Sequence, residues 1–97
     1  MSKMNKDLKD LRSQIDVLDH QLLKLLRRRF ALVKKVGKLK LKYDLPIYQR
    51  ARWLSMLSQY VVLGEKLDLE SSFVESLMKL VHRQSIKIQK SMKKVKA

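Results

Sequence analysis

The stretch that decides the fold runs from Asp7 to Tyr43 and reads DLKDLRSQIDVLDHQLLKLLRRRFALVKKVGKLKLKY. Apolar residues recur along it in alternating steps of three and four, which is the heptad stripe of one long helix. No proline interrupts it, and Gly37 is its one poor helix former. The stripe consists of Leu8, Leu11, Ile15, Leu18, Leu22, Leu25, Leu32, Val36, Leu39 and Tyr43.

The length of this helix predicts a dimer. At about 1.5 Å per residue it would be roughly 55 Å long. A compact domain of this size is only about 35 Å across. The helix would therefore overhang its own domain and leave part of its apolar stripe in water. A second copy of the chain can cover that stripe, so we expect an obligate, intertwined homodimer whose long helices pack side by side.

Two further helices complete the expected fold. The first helix starts near Asn5 or Asp7 and ends before Leu45–Pro46, because the residue before proline avoids the α region. A second helix is predicted from about Gln49 to Leu63, with Gly64 as the residue that stops it. Its predicted core stripe is Leu54, Leu57 and Val61.

The third helix is predicted from Asp68, Ser71 or Ser72 to about Met92, with a possible capping box from Ser72 to Glu75. We expect a single all-α domain over residues 1–97, built of a long, a short and a medium helix. From about residue 91 it would fray into a basic tail. The apolar stripe of the third helix is Val74, Met78, Val81, Ser85, Ile88 and Met92.

Composition excludes several classes of protein. The chain has no cysteine and only two distant histidines, so neither a disulfide framework nor a zinc site is expected. The N-terminus lacks an apolar signal core and no run is long enough for a membrane span, which predicts a cytoplasmic protein. The net charge of +14 favours an anionic partner, either nucleic acid, an acidic membrane or a small polyanion. The alternative is a solvated lysine coat.

Polar residues interrupt the apolar stripes at Arg29, Ser85 and Gln89. Together with nearby cations they predict a cavity for a small molecule with more than one carboxylate, since arginine binds carboxylates bidentately. Structural alternatives exist as well. Arg29 could pair with a buried acid, Ser85 could bond to a carbonyl of its own helix, and Lys40 and Arg12 could extend their charged ends into water. The nearby cations are Arg12, Lys40 and Arg52.

These residues carry a resemblance to the all-helical class of chorismate mutases. The order and spacing match from about residue 8 to residue 90. The matching segments are Leu11–Asp19, Leu22–Leu26, Arg28-Arg29, Val36–Lys40, Pro46–Tyr48 with Arg52, and Ser85–Gln89.

The resemblance implies the rearrangement of chorismate to prephenate, a step of aromatic amino-acid biosynthesis, without cofactor or metal. By the same resemblance, Arg29 and the partner subunit's Arg12 grip the substrate carboxylates. Lys40 and Gln89 donate to the ether oxygen, and Ser85 and Arg52 occupy further substrate-binding positions.

The chain departs from the family pattern where acidic residues would hold the substrate hydroxyl. Trp53 and Gln49 stand at those positions, which predicts reduced efficiency. Alternatively, Trp53 fills the core. A related enzyme of this fold, isochorismate-pyruvate lyase, can carry an apolar residue at the Trp53 position and is therefore the second candidate. The third is a non-enzymatic basic helical dimer that binds nucleic acid or protein, although it leaves Arg29, Ser85 and Gln89 unexplained.

Overall fold

The computed structural model describes the backbone of residues 2–96 and the side chains of residues 2–93. It contains three α-helices: α1 (Lys3–Lys42), α2 (Arg50–Lys66) and α3 (Ser71–Lys96). No strand occurs within residues 2–96. The all-α class and the order of a long, a short and a medium helix are therefore confirmed, whereas the dimer stays a prediction. None of the helices, over the residues described, has the length and apolar content to cross a membrane.

The chain divides into two units, Met1–Leu32 and Val33–Ala97. In the first unit, every described side chain as far as Leu25 is exposed. The exposed side chains include the predicted apolar stripe: Leu18 is 62% exposed and Leu22 54%. A single chain thus leaves the stripe in water, as expected from the helix length.

The core of the second unit lies where α2 packs on α3. Trp53, Val74 and Val81 are its buried apolar side chains. Every member of the apolar stripe predicted for α3 is buried or half-buried, so that stripe is confirmed. Among its buried positions is the polar residue Ser85, and Gln89 lies buried on the same helix.

The stripe predicted for α2 was partly wrong. Leu57 and Val61 are half-buried, but Leu54 is 48% exposed. The buried residues of α2 are Trp53 and Gly64. The buried face is therefore displaced by about one residue from the predicted one. Trp53 has far more apolar surface to remove from water than a leucine, and its burial explains this choice of face.

Gly64 does not stop α2, which corrects the sequence prediction. A Cβ at Gly64 would lie 2.7 Å from Val74 Cγ2, so this glycine permits a close approach of α2 to α3. The helix ends instead in a Schellman motif with Asp68 in the left-handed region (φ 58). Leu69 N–H donates to the Gly64 carbonyl at 2.8 Å, and Asp68 N–H donates to the Glu65 carbonyl at 3.1 Å.

The C-terminus of α1 has the same motif, again with aspartate in the left-handed position. Asp44 has φ 55. Its N–H donates to the Leu41 carbonyl at 3.5 Å, and Leu45 N–H donates to the Lys40 carbonyl at 2.8 Å. The chain then leaves the helix through Pro46, as predicted, and the connection returns towards Lys40.

The start of α1 differs from the predicted Asn5 or Asp7, whereas the start of α2, at Arg50 with Gln49 as its N-cap, agrees with the prediction. α1 begins at Lys3, and its cap is Ser2, whose hydroxyl oxygen accepts a hydrogen bond from Asn5 N–H at 3.3 Å. α3 begins at Ser71, one of the predicted starts.

The predicted capping box of α3 is not formed, because the Ser72 hydroxyl donates to Glu70 and Glu75 forms an ion pair with Lys79 at 2.9 Å. The helix continues past Met92 to Lys96. The basic tail predicted from about residue 91 falls mostly outside the described side chains.

Candidate functional site

The structure brings together two of the predicted site residues that lie 49 positions apart. Lys40 Nζ donates to Gln89 Oε1 at 2.8 Å. Lys40 comes from the last turn of α1 and Gln89 from the second half of α3, so only the packing of these helices places them side by side. This contact is the centre of the candidate site.

Lys40 is held at both its main chain and its side chain. Its carbonyl accepts a hydrogen bond from Leu45 N–H in the Schellman motif, and its ammonium donates to the Ile47 carbonyl at 2.5 Å. Partial burial lowers the pKa of Lys40 below the ordinary 10.5, and the positive charge of Arg52 lowers that pKa further. A cation held in this way attracts an anionic ligand.

Gln89 is the most buried polar residue among those described, at 6% exposure. Its amide nitrogen donates to the Val33 carbonyl at 3.0 Å, while its oxygen accepts from Lys40. An amide nitrogen carries two N–H groups. Gln89 can therefore hold its place on α1 with one N–H and offer the other to a ligand.

Ser85 is one turn before Gln89 and is also buried. Its hydroxyl donates to the Val81 carbonyl of its own helix at 2.9 Å. The structural alternative stated for Ser85, a bond to its own helix, is thus observed.

At the start of α2, Gln49 is half-buried and its amide nitrogen is 3.4 Å from the Pro46 carbonyl that it faces. Arg52 is exposed, yet close enough for its charge to act on Lys40. Both residues belong to the same unit as Lys40 and Gln89.

Trp53 packs inside the second unit. Its ring stacks on the ring of His82 with centroids 3.9 Å apart and planes 9° from parallel, and it is only 9% exposed. Tyr48 also lies near His82, with ring centroids 5.9 Å apart and planes tilted by 56°. Of the two alternatives for Trp53, its burial fits the one in which it fills the core.

The remaining two predicted residues belong to the first unit. Arg29 is half-buried and Arg12 is exposed. The structure thus places Lys40, Gln89, Ser85, Arg52, Gln49 and Trp53 in the second unit and Arg12 and Arg29 in the first.

Sequence reasoning missed the two groups that hold Lys40 and Gln89 in place. Both are main-chain carbonyls, those of Ile47 and Val33, and a carbonyl leaves no mark in the sequence. It also missed His82, which stacks on Trp53. In the described residues, no group of three His, Cys, Asp or Glu side chains is placed to hold a metal ion.

Comparison with known proteins identifies the family. The family model for chorismate mutase type II matches residues 11–90. The chain belongs to this family, which confirms the resemblance found in the sequence. It is 40% identical to the T-protein of Haemophilus influenzae over 78 residues, which are 80% of this chain and 21% of that protein.

Other relatives agree. The T-protein of Enterobacter agglomerans is 40% identical over 79 residues, covering 81% of this chain and 21% of the relative. The bifunctional chorismate mutase/prephenate dehydratase of Buchnera aphidicola from Acyrthosiphon pisum is 31% identical over 90 residues, which are 93% of this chain and 23% of the relative. The chain therefore spans about a fifth of the length of these relatives. They do not favour the lyase alternative.

Proposed function

We propose that this chain is a chorismate mutase, an isomerase that rearranges chorismate to prephenate. The observation that carries the proposal is the contact between Lys40 Nζ and Gln89 Oε1. Its support is that the two residues matching the family's ether-oxygen donors lie in contact although the sequence separates them widely. A matched family model over residues 11–90 supports the same reaction.

The chemistry follows from the charge that develops during the reaction. Chorismate carries two carboxylates and an enol ether, and the breaking C–O bond leaves growing negative charge on the ether oxygen. Fixed donors stabilise this charge without having to reorganise. The Lys40 ammonium and the second N–H of Gln89 would act there. A pericyclic shift needs no proton transfer, so no paired acid and base is required.

The arginines supply the second part of the mechanism. We propose that Arg29 and the partner subunit's Arg12 bind the two carboxylates and hold the flexible substrate in its folded shape, which lowers the entropic part of the barrier. Arg52, Ser85 and Gln49 complete the contacts. Because the exposed apolar stripe of α1 needs a partner to cover it, the active form in this proposal is a homodimer in the cytoplasm.

Trp53 sets a limit on efficiency. A buried indole has a donor but no acceptor, so it cannot replace an acid that accepts from the substrate hydroxyl. Gln49 can accept a hydrogen bond but carries no charge. We therefore propose a mutase that turns over more slowly than family members with both acids.

The test is to incubate the purified chain separately with chorismate and with isochorismate and to identify the products. Prephenate from chorismate, formed faster than any salicylate and pyruvate from isochorismate, supports the mutase. Faster salicylate formation would instead assign the lyase reaction. Turnover of neither substrate, together with binding to nucleic acid that weakens steeply with salt, would favour the non-enzymatic alternative.

A further inference from the structure

Side chains of α3 lie close to the backbone of α1 at Gly37. A Cβ at this position would lie 2.8 Å from Met92 Sδ and 3.1 Å from Gln89 Cγ, distances at which atoms must move. Gly37 is also the one buried residue among those described in α1. Neither glycine of the chain has a positive φ, so backbone freedom is not the reason for a glycine here. A glycine is needed because side chains of α3 occupy the space that a side chain at this position would fill.

Because Gly37 has no side chain, the main-chain carbonyl of Val33 is accessible from α3. In α-helix geometry the N–H of Gly37 pairs with the carbonyl of Val33, four residues earlier. A side chain in a helix leans towards the N-terminus and covers the turn that contains this carbonyl. Because Gly37 has none, the Val33 carbonyl stays open to α3, and Gln89 Nε2 donates to it at 3.0 Å.

The bond to Val33 sets the position of the whole amide. With Nε2 fixed on the Val33 carbonyl, Oε1 of the same group points to Lys40 Nζ at 2.8 Å. The orientation of Gln89 thus depends on how closely its stem can approach the backbone of α1 at Gly37.

We propose that Gly37 is a positioning residue, which holds the Lys40–Gln89 donor pair in register by leaving the Val33 carbonyl open to the Gln89 amide. This inference rests on the proposed function, because it assigns a catalytic purpose to the pair. Gly37 itself touches no substrate; it acts through Gln89.

The test is Gly37→Ala. The added methyl group must push the Gln89 stem away by a few tenths of an ångström, so the donor pair loses its alignment. We expect kcat on chorismate to fall about tenfold while KM changes less than about twofold, because misplacement of a donor acts on the transition state. Gly64→Ala is the matched control, since its Cβ would meet Val74 Cγ2 at 2.7 Å, away from the pair. It should lower the melting temperature without this loss of kcat.

A double variant separates positioning from packing. Gly37→Ala combined with Met92→Ala removes the thioether that the new methyl group meets, yet leaves the contact with Gln89. We expect kcat to stay low, because the contact of the new methyl group with Gln89 remains. If kcat recovers in the double variant, or if Gly64→Ala lowers kcat by the same factor, Gly37 acts through packing alone and the proposal is overturned.

A spectroscopic readout keeps the test independent of activity. The side-chain amide resonances of Gln89 should shift in Gly37→Ala and stay in place in Gly64→Ala. A parent chain that is inactive on chorismate refutes the proposed function, whereas unshifted Gln89 resonances refute the positioning role whether or not the parent is active.

Discussion

The surroundings of Lys40 orient its ammonium group but leave its positive charge available to an anionic ligand. Both acceptors of its ammonium, the Ile47 carbonyl and Gln89 Oε1, are neutral oxygens. Neutral acceptors orient the ammonium without cancelling its charge. Burial and Arg52 make that charge costly, as the lowered pKa of Lys40 indicates. An anionic substrate would offset this cost.

Replacing Lys40 should therefore damage the transition state more than binding. We expect Lys40→Ala to lower kcat by about 100- to 1000-fold, the usual loss for a donor to developing negative charge, with a much smaller rise in KM. Lys38→Ala removes an exposed lysine of the same helix and should leave both constants unchanged. A Lys40→Ala enzyme within about threefold of the parent would contradict the role of Lys40.

The lowered pKa of Lys40 also predicts a pH dependence. As pH rises through this pKa the ammonium is lost, so kcat/KM should fall at a lower pH than an ordinary lysine would give. Arg52→Gln removes one cause of the lowering, so the alkaline fall should move to higher pH. Arg50→Gln, a change at a neighbouring exposed arginine, should leave it in place. A pH–rate profile in which Arg52→Gln moves the fall to lower pH, or not at all, would refute the coupling.

The predicted effect of pH on stability is opposite to its effect on activity. Between the lowered folded-state pKa of Lys40 and the ordinary 10.5, the unfolded chain binds more protons than the folded chain. The contribution of Lys40 to the free energy of unfolding therefore rises with pH through this window. Unfolding of Lys40→Ala should lack this rise.

Trp53 shows how burial decides the effect of a substitution. Trp53→Glu would place a carboxylate against the His82 ring at a position that is 9% exposed. We expect a loss of roughly 3 kcal/mol in the free energy of unfolding, by burial of a charge and loss of stacking. Trp53→Phe keeps an aromatic ring there and should lose less. If Trp53→Glu unfolds in urea like the parent and gains about tenfold in kcat/KM, Trp53 faces the substrate after all.

At the scale of the helices, the sequence predicted which helices exist and in what order better than it predicted where each helix ends. Periodicity identifies α1, α2 and α3 because an apolar face must be buried. It cannot tell a glycine that stops a helix from one that admits a neighbour, which is why Gly64 was misread. It also gave no sign that Asp44 and Asp68 would take the left-handed C′ position, where glycine is the usual residue.

The candidate site was predictable as a set of residues but not as an arrangement. Arg29, Ser85 and Gln89 drew attention because polar groups on apolar stripes are costly. The contact of Lys40 with Gln89, in contrast, depends on the packing of α3 against α1 and on two carbonyls. The burial of Trp53 depends on His82, which no sequence pattern connected with it.

The exposed stripe of α1 predicts where a second chain binds. Leu22→Glu would place a charge in the middle of that stripe, and we expect it to dissociate the dimer and reduce helix content. Gln21→Glu puts the same charge on the neighbouring exposed position and should be tolerated. Sedimentation at micromolar concentration should give roughly twice the 11.5 kDa chain mass for the parent and for Gln21→Glu. A folded parent monomer would refute the dimer.

At the scale of the whole molecule, the two chains are expected to share each active site. Lys40 and Gln89 would come from one protomer and Arg12 from its partner. The length of α1 gives a physical reason for such sharing, because Arg12 and Lys40 lie far apart along this one helix. Neither chain would then be active alone.

Mixing defective dimers tests this central claim most directly. Arg12→Ala and Lys40→Ala, unfolded together and refolded as a mixture, form mixed dimers with one intact site each. With random pairing, mutase activity should return to roughly a quarter of the parent level. As a control, Lys40→Ala mixed with Gln89→Ala should give no recovery, because both residues belong to the same half of the site. Activity of the first mixture that stays at the level of the separate variants would contradict a shared chorismate mutase site.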